Sequence, residues 1–264
     1  MGGQINPFSS GVARAHSSYA ARRDGKLFHV LNPERTPSPL LESVHEKFRA
    51  FVLDPGFSCI GARAAVNTDS YRFGIYPEMN THATTAGLAH DLWEFVQERP
   101  TFGVDYTTFV ASFCQPAVAD ELEWEKSLWA QLQSLHELDR EHFRWDPTVS
   151  SDPEDRGFSF SMSGQSFFVV GLHPKSSRRA RRFAYPTLVF NPHVQFERLR
   201  ERGQFDRMQQ TIRARDLQLQ GSLNPNLSNF GELSEARQYS GRAVEPDWRC
   251  PFRAHAVVSD EQKS

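Results

Sequence analysis

Apolar and polar positions divide the chain into helical and extended stretches. Residues 40–53 place Leu41, Val44, Phe48, Phe51 and Val52 at helical spacing. Ser38 or the Pro39 step offers a start there, and Asp54-Pro55-Gly56 a stop. Thr84 or Thr85 is positioned to cap a helix that runs to Arg99, with Leu88, Leu92, Phe95 and Val96 on one face. The longest periodic stretch, 120–142, aligns Leu122, Leu128, Trp129, Leu132, Leu135 and Leu138, which leaves His136 and His142 at the surface. Helical spacing returns over 194–202 and 205–219. Extended runs are predicted at 71–76, 106–113, 158–161, 165–170 and 187–190, and Met162-Ser163-Gly164 reads as a hairpin turn. The small residues of 57–66 (FSCIGARAAV) would let another backbone or a ligand come close.

Helices and strands do not alternate regularly, which argues against a doubly wound sheet. The expected fold is α+β, one domain, with a mixed or mainly antiparallel sheet and flanking helices. Residues 1–25 read as a flexible N-terminal arm, 26–253 as the single folded domain and 254–264 as a flexible tail.

Composition narrows the function classes. A hydrophobic share of 39% with 23% charged residues suits a soluble globular chain, and a net charge of −2 points to neither nucleic acid nor a membrane surface. The charge is uneven. Residues 91–155 hold fifteen acids and four bases, whereas 175–215 hold eleven bases and three acids, so the basic part could receive carboxylates or be neutralised within the fold. Cys59, Cys114 and Cys250 form no CxxC pair, no apolar run reaches about 18 residues, and the first 25 residues hold no signal-like apolar core. A reducing, cytoplasmic setting is expected.

Candidate chemistry concentrates in residues 165–200. His173 and His193 each end an apolar run beside a proline, a rigid setting for an imidazole that could ligate a metal or bond the local turn. Arg178, Arg179, Arg181 and Arg182 lie between them, forks that suit carboxylates or phosphates as well as a solvated turn. Cys250, in Trp-Arg-Cys-Pro-Phe, is a thiolate candidate or a small buried hydrophobe. Glu232 and Glu235 could meet a cationic guanidinium in a dry pocket, or cap a turn. HExxH, P-loop, GxGxxG and GxSxG motifs are missing, which leaves zinc hydrolase, nucleotide-binding and serine hydrolase readings unsupported.

Taken in order, several segments resemble the YqcI/YcgG family: Phe-Ser-Cys-Ile-Gly-Ala-Arg-Ala at 57–64, Gly-Leu-His-Pro-Lys-Ser-Ser-Arg-Arg-Ala-Arg-Arg-Phe at 171–183, and Val-Phe-Asn-Pro-His-Val-Gln-Phe-Glu-Arg-Leu-Arg at 189–200. The likeness continues at 212–216, 221–225, 236–242 and 248–252. Family segments often read Phe-Pro-Cys where this chain has Phe-Ser-Cys at 57–59. The resemblance implies a haem-dependent N-hydroxylase that acts on the guanidino or amino nitrogen of arginine or an arginine-like molecule. It implies haem b, with O2 or peroxide as oxidant, and leaves room for an electron-transfer protein and a homodimer. On that reading His193 is the first choice for the iron ligand, His173 the second and Cys250 the third. Arg178, Arg181 and Arg182 would hold the propionates, Phe168 and Phe190 would wall the porphyrin, and Glu232 or Glu235 would grip the substrate cation. The rivals are a haem carrier or sensor without turnover, a non-haem metal enzyme using His173 and His193, and a cofactor-free binding protein.

Overall fold

The computed structural model describes residues 4–256 apart from 105, 225 and 227–231. Side-chain caps set the helix starts that the apolar spacing leaves open. Ser38 caps α2 (Pro39–Leu53) through the Leu41 N–H. Thr81 caps α4 (His82–Glu98) through the Thr84 N–H, three residues before the threonines that the spacing suggests. Asp120 caps α5 (Glu121–Asp139), and the Glu123 carboxylate returns to the Ala119 N–H at 2.6 Å. The other helices are α1 (Gly11–His16), α3 (Ile60–Asn67), α6 (His193–Glu201), α7 (Phe205–Gln220) and α8 (Ala236–Tyr239).

Among the described residues seven strands form one sheet: β1 (Ala20–Arg23), β2 (Lys26–His29), β3 (Tyr71–Glu78), β4 (Thr108–Gln115), β5 (Phe160–Met162), β6 (Gln165–Leu172) and β7 (Thr187–Pro192). Their order is β2-β1-β3-β4-β7-β6-β5, and only β3 and β4 run parallel. The fold is thus α+β on a mixed, mainly antiparallel sheet. Ser163 and Gly164 both take positive φ (55° and 71°), the conformation a two-residue hairpin turn requires.

Alternation along the strands feeds two cores. On one face Phe109, Ala111 and Phe113 of β4 pack with Leu88, Leu92 and Phe95 of α4 and with Trp124 and Leu128 of α5. On the other, Val110 joins Tyr71, Phe73, Leu172 and Val189 beneath Leu41, Val44 and Phe48 of α2. The phenylalanine-rich composition is spent largely here. Among the described residues no helix is long and apolar enough to cross a membrane.

Three expectations change. The stretch 1–25 is no arm over its described part: α1 packs on α4 with Ala13 fully buried, and β1 pairs with β2 and β3. Its polar composition hid a hairpin whose Asp24-Gly25 turn takes φ of 51° and 81°. The small segment 57–66 becomes α3 rather than a site of close approach alone. His136 is buried at 3% exposure, because the chain after Phe252 crosses α5 and the His255 N–H bonds its Nε2 at 2.8 Å.

Asp91 fastens the N-terminal segment to this frame. It is fully buried, and its carboxylate accepts the Ser17 hydroxyl (2.6 Å), the Ser18 N–H (2.7 Å) and the Tyr76 hydroxyl (2.7 Å), with His90 Nδ1 at 3.0 Å. Asp91→Ala strands these donors together, so chemical denaturation should report a loss of about 3 kcal/mol or more. A loss below about 1 kcal/mol would show that the N-terminal segment docks by apolar contact instead.

Candidate functional site

The antiparallel register of β6 and β7 decides where the two imidazoles stand. Phe167 faces Pro192 and Leu172 faces Thr187, so His173 follows one end of the ladder and His193 the other. Five strand steps at about 3.4 Å each separate the ends by roughly 17 Å. The two histidines therefore cannot share one metal ion, which removes the non-haem reading built on that pair. Among the described residues no group of three or more His, Cys, Asp or Glu side chains could hold a metal ion.

His173 is fully buried and stacked on Trp124, with ring centroids 5.2 Å apart, and neither ring nitrogen has a hydrogen bond. Burial lowers its pKa to about 4, so it is neutral. The arginines beside it serve the fold. Arg178 is ion-paired with Asp216 of α7 and donates to the Ser222 carbonyl at 2.7 Å. Arg181 donates to the carbonyls of Tyr239 (2.9 Å) and Gly171 (3.3 Å). Arg182 is exposed and donates to the Ser176 carbonyl at 2.8 Å. Cys250 is fully buried in the apolar core, which pushes its thiol up to about 12. Phe190 is fully buried in the same core, whereas Phe168 is half-buried and lies edge-on to Phe196 and Tyr239.

His193 is different, because other predicted groups meet it. It opens α6, 6% exposed, with Nε2 3.8 Å from Glu235 Oε2 and Nδ1 3.5 Å from Glu197 Oε1. Burial first, then the charge of Arg200, lowers its pKa and keeps the ring neutral near pH 7. Phe196 packs against it at a centroid distance of 6.2 Å. Glu232 is exposed, so of the two predicted carboxylates only Glu235 comes to the imidazole.

Glu235 sits just before α8, and its Oε1 lies 2.6 Å from the hydroxyl of Tyr239. That hydroxyl also accepts the Phe160 N–H (3.1 Å) and lies 3.0 Å from the Phe167 carbonyl. A phenol has one proton to donate and here faces two acceptors. If Glu235 is protonated, its O–H donates to Tyr239 and the tyrosine donates to Phe167, so every contact holds a proton. If Glu235 is ionised, one oxygen pair is left without one. Burial agrees with the count, pushing the Glu235 carboxyl up to about 8 against weaker downward pulls from Tyr239, the nearby Ser159 hydroxyl and Arg200. Glu235 is a carboxylic acid at neutral pH.

Cys59, which the sequence presents as another small buried hydrophobe, takes a more specific place in the structure. It is the N-cap of α3, and its Sγ accepts the Ala62 N–H at 3.5 Å. Burial raises its thiol pKa, while backbone N–H groups and the charge of Arg181 pull it down. The following Gly61, Ala62 and Ala64 are half-exposed and small. The signal was the Cys-Ile-Gly step into an Ala-rich helix, but a cysteine is rare enough at a helix cap that spacing did not mark it.

A family model described as the YqcI/YcgG family matches residues 48–253. The chain is also similar to a protein of Bacillus subtilis (strain 168) that bears the name "Uncharacterized protein YqcI". The two are 27% identical over 209 residues, which cover 74% of this chain and 80% of that one. No solved structure matches.

The protonated Glu235 has a thermodynamic signature. Its pKa is about 8 folded against an ordinary 4.5, so between these values the folded state holds a proton that the unfolded state has lost. Its contribution is complete below pH about 4.5 and lost as pH rises through about 8. Denaturation of wild type and Glu235→Gln between pH 5 and 8.5 should show the wild type falling relative to the variant as pH rises. Parallel profiles would mean an ionised Glu235.

Proposed function

The chain belongs to the YqcI/YcgG family, and on that footing we propose that it is a haem-dependent N-hydroxylase. Its substrate would be the guanidino or amino nitrogen of arginine or an arginine-like small molecule. The observation that supports this most is the buried pair of a neutral imidazole, His193, and a proton-bearing carboxyl, Glu235, beside half-buried Phe168 and Phe196.

The donor chemistry fits an iron porphyrin. His193 offers a neutral imidazole, and Cys59 a thiol whose sulfur already accepts a backbone N–H at a helix start. Both flank the same segment: the Gly61 Cα faces the Tyr106 ring, and Gln195, two residues after His193, accepts the Thr107 N–H at 3.0 Å. Haem b would be held by one of these donors and would supply the activation of O2 or peroxide. Arg181, whose charge is felt at Cys59, would reach a propionate only by giving up its bonds to the Tyr239 and Gly171 carbonyls, just as Arg178 would have to leave Asp216 and Arg182 its loop carbonyl.

The chain's own residues would bind and orient the substrate and manage one proton. A guanidinium entering beside Glu235 meets an acid, and binding it as a cation requires the Glu235 proton to leave. Affinity for the cation should therefore rise with pH toward about 8. Phe168, Phe196 and Tyr106 would exclude water. With O2 as oxidant two electrons must come from a reductant, for which an electron-transfer protein is one source.

Expression with haem supply, followed by visible and ferrous–CO spectra, tests the proposal. Wild type is expected to show a Soret band and to hydroxylate arginine or a close analogue. A strongly red-shifted CO band that is lost in Cys59→Ala assigns the thiolate, and an unshifted band lost in His193→Ala assigns the imidazole. Protein without a Soret band, or a spectrum untouched by both substitutions, overturns it.

A further inference from the structure

A cleft of about 310 Å³ opens away from the His193–Glu235 cluster and shares no residue with it. Its lining includes Arg14 of α1, Tyr19, His29 at the end of β2, Arg35 in the loop that follows, and His90 and Glu94 of α4. Arg14, His29 and Arg35 lie outside the family-matched residues 48–253, and His90 and Glu94 lie within them. The cleft is thus formed where the N-terminal segment meets the family core.

Most polar groups around it are already engaged. The Tyr19 hydroxyl donates to Glu98 at 2.6 Å, and Arg14 donates to the Ser9 hydroxyl at 2.8 Å. Glu94 accepts the Asn6 amide at 2.9 Å, and His90 Nδ1 lies 3.0 Å from Asp91. Two groups stand apart. His29 is 6% exposed, lines the cleft, and its ring makes no hydrogen bond. Arg35 is exposed at the rim, and no described carboxylate pairs with its guanidinium.

These two are near enough to act on each other. The charge of Arg35, after burial, lowers the His29 pKa, and Asp91 opposes the shift. Both groups face one cleft without a protein acceptor, and a bound oxyanion would supply one. The only acid among the lining residues, Glu94, is already bonded by Asn6. The volume lies at the small end of ligand pockets, which suits a small metabolite rather than a nucleotide.

We propose that this cleft binds a small oxyanion, the carboxylate or phosphate group of a metabolite, between the Arg35 guanidinium and the His29 imidazole. A bound anion favours the imidazolium, so binding takes up a proton and strengthens as pH falls. Arg14, Arg35, His90, Glu94 and Asp91 are the charged or titratable groups around His29, and only Arg35 and Arg14 would face the ligand as uncompensated cations. The inference does not depend on haem.

Titration of the full-length protein with sodium sulfate, in place of phosphate, and separately with succinate tests it; both keep a nearly constant charge between pH 6.5 and 8. The readouts are the His29 ring resonances and calorimetry. Saturable binding by either anion is expected, tighter at pH 6.5 than at pH 8, with an upward displacement of the His29 titration. Saturation by sulfate alone assigns a phosphate-type ligand, and by succinate alone a carboxylate. Arg35→Gln, at an exposed position, should weaken binding about tenfold. His29→Gln should abolish the pH dependence. No saturation by either anion, or a response that sodium chloride at equal ionic strength reproduces, or that Arg35→Gln leaves unchanged, overturns the proposal.

Discussion

Strand β7 runs through the interior of the sheet with β4 on one side and β6 on the other, and both pairings are antiparallel. A strand held on two sides cannot slip without turning its whole apolar set to the wrong face. Leu188 and Phe190 feed one core and Val189 the other, so the register is fixed by burial on both faces. The helix that begins at His193 inherits that rigidity. The imidazole is aimed by the strand before it, and the neighbouring ladder sends His173 to the far end.

The arginine-rich turn after His173 shows how a charged segment can serve the fold. Arg178 ties it to α7 through Asp216. Arg181 reaches across to the Tyr239 carbonyl and so holds α8 against the part of β6 that lies beyond its pairing with β5. Gly171 takes part in the same closure. A Cβ there would lie 2.7 to 2.9 Å from Leu128, Trp124 and the Tyr239 carbonyl, so only glycine lets α5 and α8 come this near. The charge asymmetry of the sequence is therefore partly consumed internally, and the acid that matters at His193 comes from α8 rather than from the acidic stretch.

The sheet's long strands and the four long helices were legible because each carries an apolar period that tertiary packing did not override. The first hairpin was not. Ala-Ala-Arg-Arg and Lys-Leu-Phe-His are short, and five of their eight residues are charged or small. Asp24-Gly25 was the one signal, outweighed by the polar composition around it. His136 shows the same limit: its place in the helical pattern says surface, and the segment that covers it arrives from more than a hundred residues away. At the candidate site the sequence marked His193 and Glu235 separately but had no means to join them. Their meeting depends on the β7 register and the α8 docking together. The proton on Glu235 was beyond sequence reasoning, since it follows from counting hydrogens on the Tyr239 hydroxyl.

That count bears on how the interior responds to what enters it. A buried acid that gives up its proton to make room for a cation exchanges one positive charge for another. The net charge enclosed by Phe168, Phe196 and Tyr239 stays the same through the exchange, and the field at His193 and Arg200 is nearly unchanged. On that reading the site would be electrically silent toward its guest. It would discriminate among cations by outline and hydrogen-bond pattern, while the acidity of the surrounding solution sets how readily the exchange occurs.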